Sequence, residues 1–525
     1  MSVPVFEHTL TSIRSLIHDE NEPLQRISHL IKYDPGLYFS LLRYINSLGK
    51  RNDITSVSQA ISLIGAEGVE NFILQQDYFL NEDYLLLWCF SVMGGEAAVL
   101  INERTDIAEE EEAFFAGILP AVGMLLMTGK SGYQKVVNLL LKVPLEQRVF
   151  IEEGLFRTNN IDQLDKNLLS PKTYKDIISL MSRVFSKNGQ RNNHLEHPAR
   201  FSMAHTSFQL FRLIEAADTA ARSLLFPQVI EAQEKFRGLS KMYFKISGSE
   251  TEELLADILE RFEAVCREFK VEHLSEQLIA NAENYQSAGV TFLTKSGPLK
   301  KSLEHIYAAI REDKNILVCG EPSVGKRLLA IALHRLPDNP RRTKPFLSIH
   351  CATLDSETLE IELFGTKGGF LGHERHKGTL ELANGGTLLL KDIDKIPLTF
   401  QDRLAEIFSK DEFYKIGETQ PASFDIKFVI TSKKDIIAEG KAGRFSNRLL
   451  NVLKPVGICI PPLRERREDI EFITDNIIDK YNLNLTDAAL RLGLREYYET
   501  QPFPDNLRDL KRLLFFLSAK HSLKS

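Results

Sequence analysis

Gly320-Glu321-Pro322-Ser323-Val324-Gly325-Lys326 has the composition of a turn that holds phosphate, and the second half of the chain is read outward from it. An apolar run, Asn315 to Cys319, leads into it, and a helical pattern starts at Arg327. A glycine-rich turn between strand and helix aims backbone N–H groups and a helix N-terminus at an anion, and Lys326 adds a positive charge for the β and γ groups of a nucleotide. Hydrolysis asks for more: a carboxylate that holds Mg2+ and a second group that positions water. A strand ending in two adjacent acids would supply both, but the strand at hand ends Leu388-Leu389-Leu390-Lys391-Asp392. A cation stands where the metal would sit. Asp392 is left as the remnant of a catalytic pair. ATP or ADP is the expected ligand, Mg2+ is disfavoured, and neither a metal site nor a complete catalytic set is expected.

From Phe292 onward, short apolar runs alternate with helical stretches. Ile316 to Val318, Phe346 to Ile349, Thr387 to Leu390, Phe428 to Ile430 and Gly457 to Ile460 read as strands. That alternation predicts a parallel sheet covered by helices. After Pro461-Pro462 the pattern is helical again. Upstream, apolar residues recur at helical spacing, as in Leu24, Ile27, Leu30, Ile31 and in Leu37, Leu41, Leu42, Ile45. The first half is therefore expected to be all helix, broken at Asp34-Pro35-Gly36, at Gly49 to Asp53 and in the polar stretch Ser186 to Pro198. The predicted fold is multidomain: an all-α domain over 1–215, a helical connector over 216–291 that includes the pattern Val229 to Val271, an α/β phosphate-loop core over 292–462, and a small helical lid over 463–525.

A chain of 525 residues with 43% hydrophobic content is long enough for several cores. Its net charge of −6, with mixed signs throughout, lacks the basic face that nucleic acid requires. The short charge runs, Glu109 to Glu112 and Arg341, Arg342, Lys344, read as solvated surface. Cys89, Cys266, Cys319, Cys351 and Cys459 show no C-x-x-C spacing and are expected to be reduced core residues. No charged-then-apolar leader opens the sequence. The most apolar stretch, Tyr84 to Ile101, carries Gly94, Gly95 and Glu96 and reads as a buried helix pair, not a membrane span. A cytoplasmic location without a membrane partner is the expectation.

Further motifs follow the phosphate loop in fixed order: ELFG at Glu362 to Gly365, GGFLGH at Gly368 to His373, NGGTLLL at Asn384 to Leu390, PPLRERREDI at Pro461 to Ile470 and PFPDNLRDL at Pro502 to Leu510. Together they resemble the AAA+ domain of bacterial enhancer-binding proteins, ATPases that remodel sigma-54 RNA polymerase, over roughly residues 292 to 515. The resemblance implies a hexamer-forming ATPase whose G-A-F-T-G-A loop pushes on sigma-54. Several of its parts are altered here. The family's G-E-S-G-T-G-K-E is GEPSVGKR, which keeps both glycines and Lys326. Its D-E pair is Lys391-Asp392. Its two arginine fingers, worth about 10³ to 10⁵ in rate where one acts, align with Ser446 and Val452, while Arg444 and Arg448 stand at the wrong spacing. An Asn at the end of the second strand is His350, and a sensor Asn after Thr431 is Ser432. In the remodelling loop Leu371 replaces the Thr that meets sigma-54, and an ordinary surface loop is the simpler reading of Gly368, Phe370 and Gly372. The sensor arginine is kept as Arg508. The implied nucleotide contacts are thus Gly320, Glu321, Pro322, Ser323, Val324, Gly325, Lys326, Arg327, Asp392 and Arg508.

In the helical half, DPGLYFSLLRYINS (Asp34 to Ser47) followed by ITSVSQAISLIGAEGV (Ile54 to Val69) resembles the HDOD domain, a helical signalling module related to HD phosphohydrolases. Leu213 to Ala221 is similar to a later helix of that superfamily. An HD enzyme holds metal with adjacent His and Asp side chains. Here the corresponding positions are Pro120-Ala121, and Phe90 stands where a His would, so metal chemistry is not expected; His194, His197 and His205 belong to a solvated stretch. The resulting expectation is a bacterial regulatory protein that binds nucleotide, hydrolyses it poorly and acts through a regulatory or signalling protein held by its HDOD-like domain. Direct DNA binding is not expected, sigma-54 polymerase is disfavoured as a partner, and self-association remains compatible. Two rival readings stay open: an active ATPase that remodels sigma-54 polymerase, and a scaffold with an empty phosphate loop.

Overall fold

The computed structural model describes residues 3–524 apart from 18–23, 49–53, 55, 77–78, 81–83, 168–171, 186–204, 247, 277–291, 293, 352–355, 368–375, 486–493, 495–496 and 499–500. Two units divide the chain, one of residues 1–287 with 515–525 and the other of residues 288–514.

The first unit is built on capped, tightly packed helices. Asp34 starts the helix Pro35–Ser47: one carboxylate oxygen accepts from the N–H groups of Gly36 and Leu37, each at 2.9 Å, and the other from Phe6 N–H at 2.9 Å. Pro35 needs no N–H at this position, and its ring presets the helical φ. Gly36 is required by contact, because a Cβ there would lie 2.0 Å from the Pro4 carbonyl oxygen. The helix Val57–Leu74 is bent at Gly65, whose φ of 67° is open to glycine at no steric cost. The unit is not purely helical, as the sequence suggested: Val5–Phe6 and Phe79–Leu80 pair as a two-residue parallel ladder too short to show in an alternation pattern.

Tyr84 to Ile101 also departs from expectation. It belongs to one continuous helix, Leu85–Thr105, not a pair. Gly94 and Gly95 do not break the helix; they let the Glu110–Met127 helix approach so closely that a Cβ on Gly117 would meet the Gly94 carbonyl oxygen at 2.3 Å. Among the described residues this is the one helix long and apolar enough to cross a membrane, and 89% of its most apolar window is buried within the protein. The helices His205–Leu225 and Gly248–Glu268 pack on it, the latter setting Phe262 against Trp88 with the rings tilted at 51°. The stretch Val229 to Val271 forms two helices, Ile230–Phe244 and Gly248–Glu268, separated where Lys245 turns left-handed. Beneath them Arg148 and Arg222 both reach Asp218, at 3.2 and 2.9 Å, forming a buried ionic network.

The second unit is built on a five-stranded, all-parallel sheet, with two short antiparallel ladders beside it. The strands of the sheet are β1 (Ile316–Cys319), β2 (Phe346–His350), β3 (Thr387–Lys391), β4 (Lys427–Ser432) and β5 (Val456–Cys459), and they lie in the order β5-β1-β4-β3-β2. Every run read as a strand is present. Near-continuous apolar composition suits a sheet covered on both faces: one face packs against Leu404, Phe408 and Leu449, the other against Leu303, Ile306 and Leu329.

The two charge runs keep exposed members, Glu109 and Glu110 in one and Arg342 and Lys344 in the other, but neither is wholly solvated. Arg341 is not solvated; its guanidinium ties Asp313 and Asp425 together at 2.8 and 2.7 Å. Within Glu109 to Glu112, Glu111 accepts from Ser58 N–H at 3.2 Å and Glu110 pairs with Lys32 at 3.3 Å. The cysteines change as well. Cys89, Cys266 and Cys351 are buried thiols as expected, whereas Cys319 and Cys459 are joined in a disulfide with Cα atoms 4.5 Å apart. They lie 140 residues apart in sequence, and only the sheet brings their strands side by side.

Candidate functional site

β1 ends at Cys319 and the chain turns at once through Gly320, with φ of 144°; a Cβ there would sit 2.6 Å from the Ile460 carbonyl oxygen. Gly325 closes the turn at φ 107°, and the helix Lys326–His334 follows. Between them Ser323 adopts φ 59°, a left-handed backbone that costs a non-glycine residue energy and recurs at binding loops. Lys326 folds back on its own loop, donating from Nζ to the carbonyl oxygens of Gly320 at 2.6 Å and Glu321 at 2.8 Å. Burial lowers the pKa of its ammonium, and among the charges that oppose this Asp392 is the largest, followed by Asp394.

The acidic end of the site comes from β3. Lys391 is its last residue, paired in register with His350, and Cys351 N–H donates to its carbonyl oxygen at 2.9 Å. Burial pushes the Lys391 ammonium down to about 8; the nearby Arg327 charge adds to this and Asp392 opposes it. Asp392 follows in a left-handed turn at φ 53°. A second carboxylate, not singled out in the sequence, lies two residues on: Asp394 accepts from Ser432 Oγ at 3.0 Å and from Lys433 N–H at 3.4 Å. The spacing Asp392-x-Asp394 was its visible signal, but nothing local says that the short helical turn Ile393–Lys395 presents it to the end of β4.

Two distant motifs, Pro461 to Ile470 and Pro502 to Leu510, converge on the loop from its far side. Arg464 Nη1 donates to Glu321 Oε2 at 2.8 Å, and this bond holds the Glu321 carboxyl down at about 2. Asn506, fully buried, donates to the same oxygen at 3.2 Å and to the Pro322 carbonyl at 3.1 Å. Leu507 N–H donates to the Ser323 carbonyl at 3.2 Å, which places Arg508 in the first turn of the Leu507–Lys524 helix, one residue beyond the loop contact. The Arg466 guanidinium, 1% exposed, donates to the Val324 carbonyl at 2.7 Å and pairs with Asp469. Asp469 in turn accepts from Thr294 Oγ1 and Ser296 N–H. The loop Gly320 to Lys326 is thus braced along most of its length.

Other candidate positions fall elsewhere. Ser446 caps the helix Asn447–Leu453 and bonds Asp402, while Val452 packs against the core. Arg444 is held by Glu439 in two hydrogen bonds of 2.8 and 2.7 Å, and Arg448 is exposed. Gly368 to His373, with Phe370 and Leu371, lies outside the described residues, as do His194 and His197; of His205 only the helical backbone is described. Among the described residues no group of three His, Cys, Asp or Glu could hold a metal ion. Phe90, Pro120 and Ala121 are buried in apolar helices, which leaves no metal-binding pair there.

A parallel sheet in this strand order, with a phosphate loop after β1 and helical residues folded over it, defines an AAA+ type nucleotide-site architecture preceded by a helical module. The chain carries an HDOD domain, matched over residues 3–157, and a sigma-54 interaction domain, matched over residues 292–459. Among curated relatives it is 32% identical over 226 residues to the Nif-specific regulatory protein of Herbaspirillum seropedicae, covering 41% of this chain and 40% of that protein. It is 34% identical over 218 residues to the response regulator protein FleR of Pseudomonas aeruginosa, covering 41% and 46%. The chain therefore spans less than half the length of these relatives. A solved structure of NtrX from Brucella abortus in complex with ATP aligns at 23% identity and a TM-score of 0.38, covering 50% of this chain and 60% of that one.

Proposed function

We propose that this protein is a bacterial signalling and transcription-regulatory protein whose second unit binds ATP or ADP and turns it over poorly, and whose HDOD domain passes the resulting state to a protein partner. The observation that carries the reading is a lysine, Lys391, at the strand end where a metal ligand is needed, beside an otherwise complete phosphate loop. A bound phosphate would take over the Lys326 ammonium from the Gly320 and Glu321 carbonyls. That exchange would give the braced loop two arrangements, and a ligand that prefers one shifts the population toward it. Gly320 to Arg327, Asp392 and Arg508 are the proposed contacts. The names of the relatives support a regulatory role, and the net charge of −6 gives no support to direct DNA binding.

A second reading is favoured by one observation. Asp392 and Asp394 both bear on Lys326, so together they offer two carboxylates near the loop despite Lys391. In that reading the unit is an active ATPase acting on sigma-54 polymerase. Titration of the full chain with labelled ATP and ADP, in Mg2+ and in EDTA, separates the cases. The proposal expects binding of both nucleotides, a change of less than about tenfold on removing Mg2+, and loss of binding in Lys326→Ala. Strong Mg2+ dependence that disappears in Asp394→Asn would favour the active enzyme. Equal, negligible binding by wild type and Lys326→Ala would leave a scaffold.

A further inference from the structure

Immediately before the phosphate loop, Cys319 ends β1 and faces Cys459, the last residue of β5, in direct register. Their Cα atoms are 4.5 Å apart, inside the range that a disulfide spans without backbone movement. β5 is an edge strand and Cys459 is exposed, whereas Cys319 is 4% exposed. The other three cysteines are buried, and burial pushes the thiols of Cys266 and Cys351 up to about 12 and that of Cys89 upward as well, so they remain unreactive. The pair therefore combines one sulfur open to small reagents with a second already in bonding position.

Its location gives the bond a consequence. Cys319 adjoins Gly320, and Ile460, the residue after Cys459, donates its N–H to the Cys319 carbonyl at 2.8 Å while its own carbonyl crowds Gly320. Four residues further on, Arg464 grips the Glu321 carboxylate. One short segment, Cys459 to Arg464, thus holds the phosphate loop at both sides of Gly320, by the disulfide on one side and the ion pair on the other. With both in place, Lys326 is satisfied by loop carbonyls.

We propose that Cys319 and Cys459 are a reversible dithiol–disulfide couple that locks the phosphate loop in this self-satisfied arrangement when oxidised and releases it for nucleotide when reduced. The effect on nucleotide rests on the binding reading above. Formation proceeds by exchange with a low-molecular-weight disulfide. The exposed Cys459 thiolate attacks one of its sulfurs, a small thiol leaves, and Cys319 then attacks the Cys459 sulfur of the mixed disulfide and expels the second small thiol. The protein pair gives up two electrons to the small disulfide, and the protons of the two protein thiols end on the two thiols released. Excess small thiol reverses both steps. In a reducing compartment such bonds are typically transient and sensory, not structural.

The test uses the full chain equilibrated in glutathione buffers of graded redox poise, with peptide mapping, amide hydrogen exchange of residues 320–326 and ATP titration on each sample. The expected result is a Cys319–Cys459 linked peptide on oxidation with the other cysteines still thiols, slower exchange in the loop, and ATP binding about tenfold weaker than in the reduced form. Cys459→Ser should exchange and bind like reduced wild type in every buffer. Should Cys319→Ser fail to fold, Cys459→Ser carries the comparison alone, because its side chain is exposed. A pair that never links in the folded protein, or a loop that exchanges equally in both redox states, overturns the lock. If neither state binds ATP while exchange still differs, the nucleotide reading fails and the lock stands.

Discussion

The backbone N–H of Asp392 donates to the Thr431 hydroxyl at 3.2 Å, tying the residue after β3 to the adjacent strand β4. The bond holds Asp392 in its left-handed turn, from which its charge is the largest acidic influence on Lys326. Asp392 is therefore positioned by the sheet, and its chain neighbour Lys391 is a buried cation with a depressed pKa.

Steady-state ATP hydrolysis should accordingly run at least about 10³-fold below that of an active homologue, since a single missing arginine finger is worth that much. Lys391→Asp alone should not rescue it, because Ser446 is engaged with Asp402 and Val452 with the core. Family-typical turnover abolished by Asp392→Ala would sink this expectation.

Partner capture should depend on the helical half. Affinity purification from a bacterial host should recover a regulatory or signalling protein whose retention needs residues 1–215 and survives Leu371→Ala. Recovery of sigma-54 polymerase, lost on changing Phe370 or Leu371, would instead place the chain among active remodellers.

The crossing of the helices Leu85–Thr105 and Glu110–Met127 should tolerate no added methyl. In Gly117→Ala the new Cβ meets the Gly94 carbonyl at 2.3 Å and Ala98 Cβ at 2.8 Å, so overpacking by about 1–3 kcal/mol should outweigh the helix propensity gained. Gly238→Ala, in a helix with open space around the site, should be neutral or stabilising. Urea denaturation of both variants checks the contrast, and equal stabilities would refute it.

Asp34 should tie the stability of the first unit to pH. Burial pushes its carboxyl up to about 6 from 3.8, against the hydrogen bonds from the N–H groups of Leu37, Phe6 and Gly36. A folded pKa above the unfolded one means that its contribution is fully present below pH 3.8 and is lost as pH rises through 6. The stability of wild type relative to Asp34→Asn should thus fall by up to about 3 kcal/mol between pH 4 and pH 7. His8, held neutral by burial with its pKa lowered to about 4, titrates in both proteins and cancels in the difference. A wild-type advantage that grows with pH would mean that the N–H donors outweigh burial.

The five strands, the phosphate turn and the break at Asp34-Pro35-Gly36 were legible in the sequence, because each is set by a run of a few residues: apolar composition, or Gly, Pro and Asp at fixed offsets. What the tertiary structure alone decided lies between residues far apart in the chain. Gly94 and Gly95 read as a break until Gly117 is placed against them. Arg341 reads as a solvated charge until Asp313 and Asp425 close around it. Asp394 carries no motif until β4 brings Ser432 to it, and Cys319 and Cys459 are unrelated thiols until two parallel strands align them. Local pattern reports which face a side chain can present; only packing fixes what that face meets.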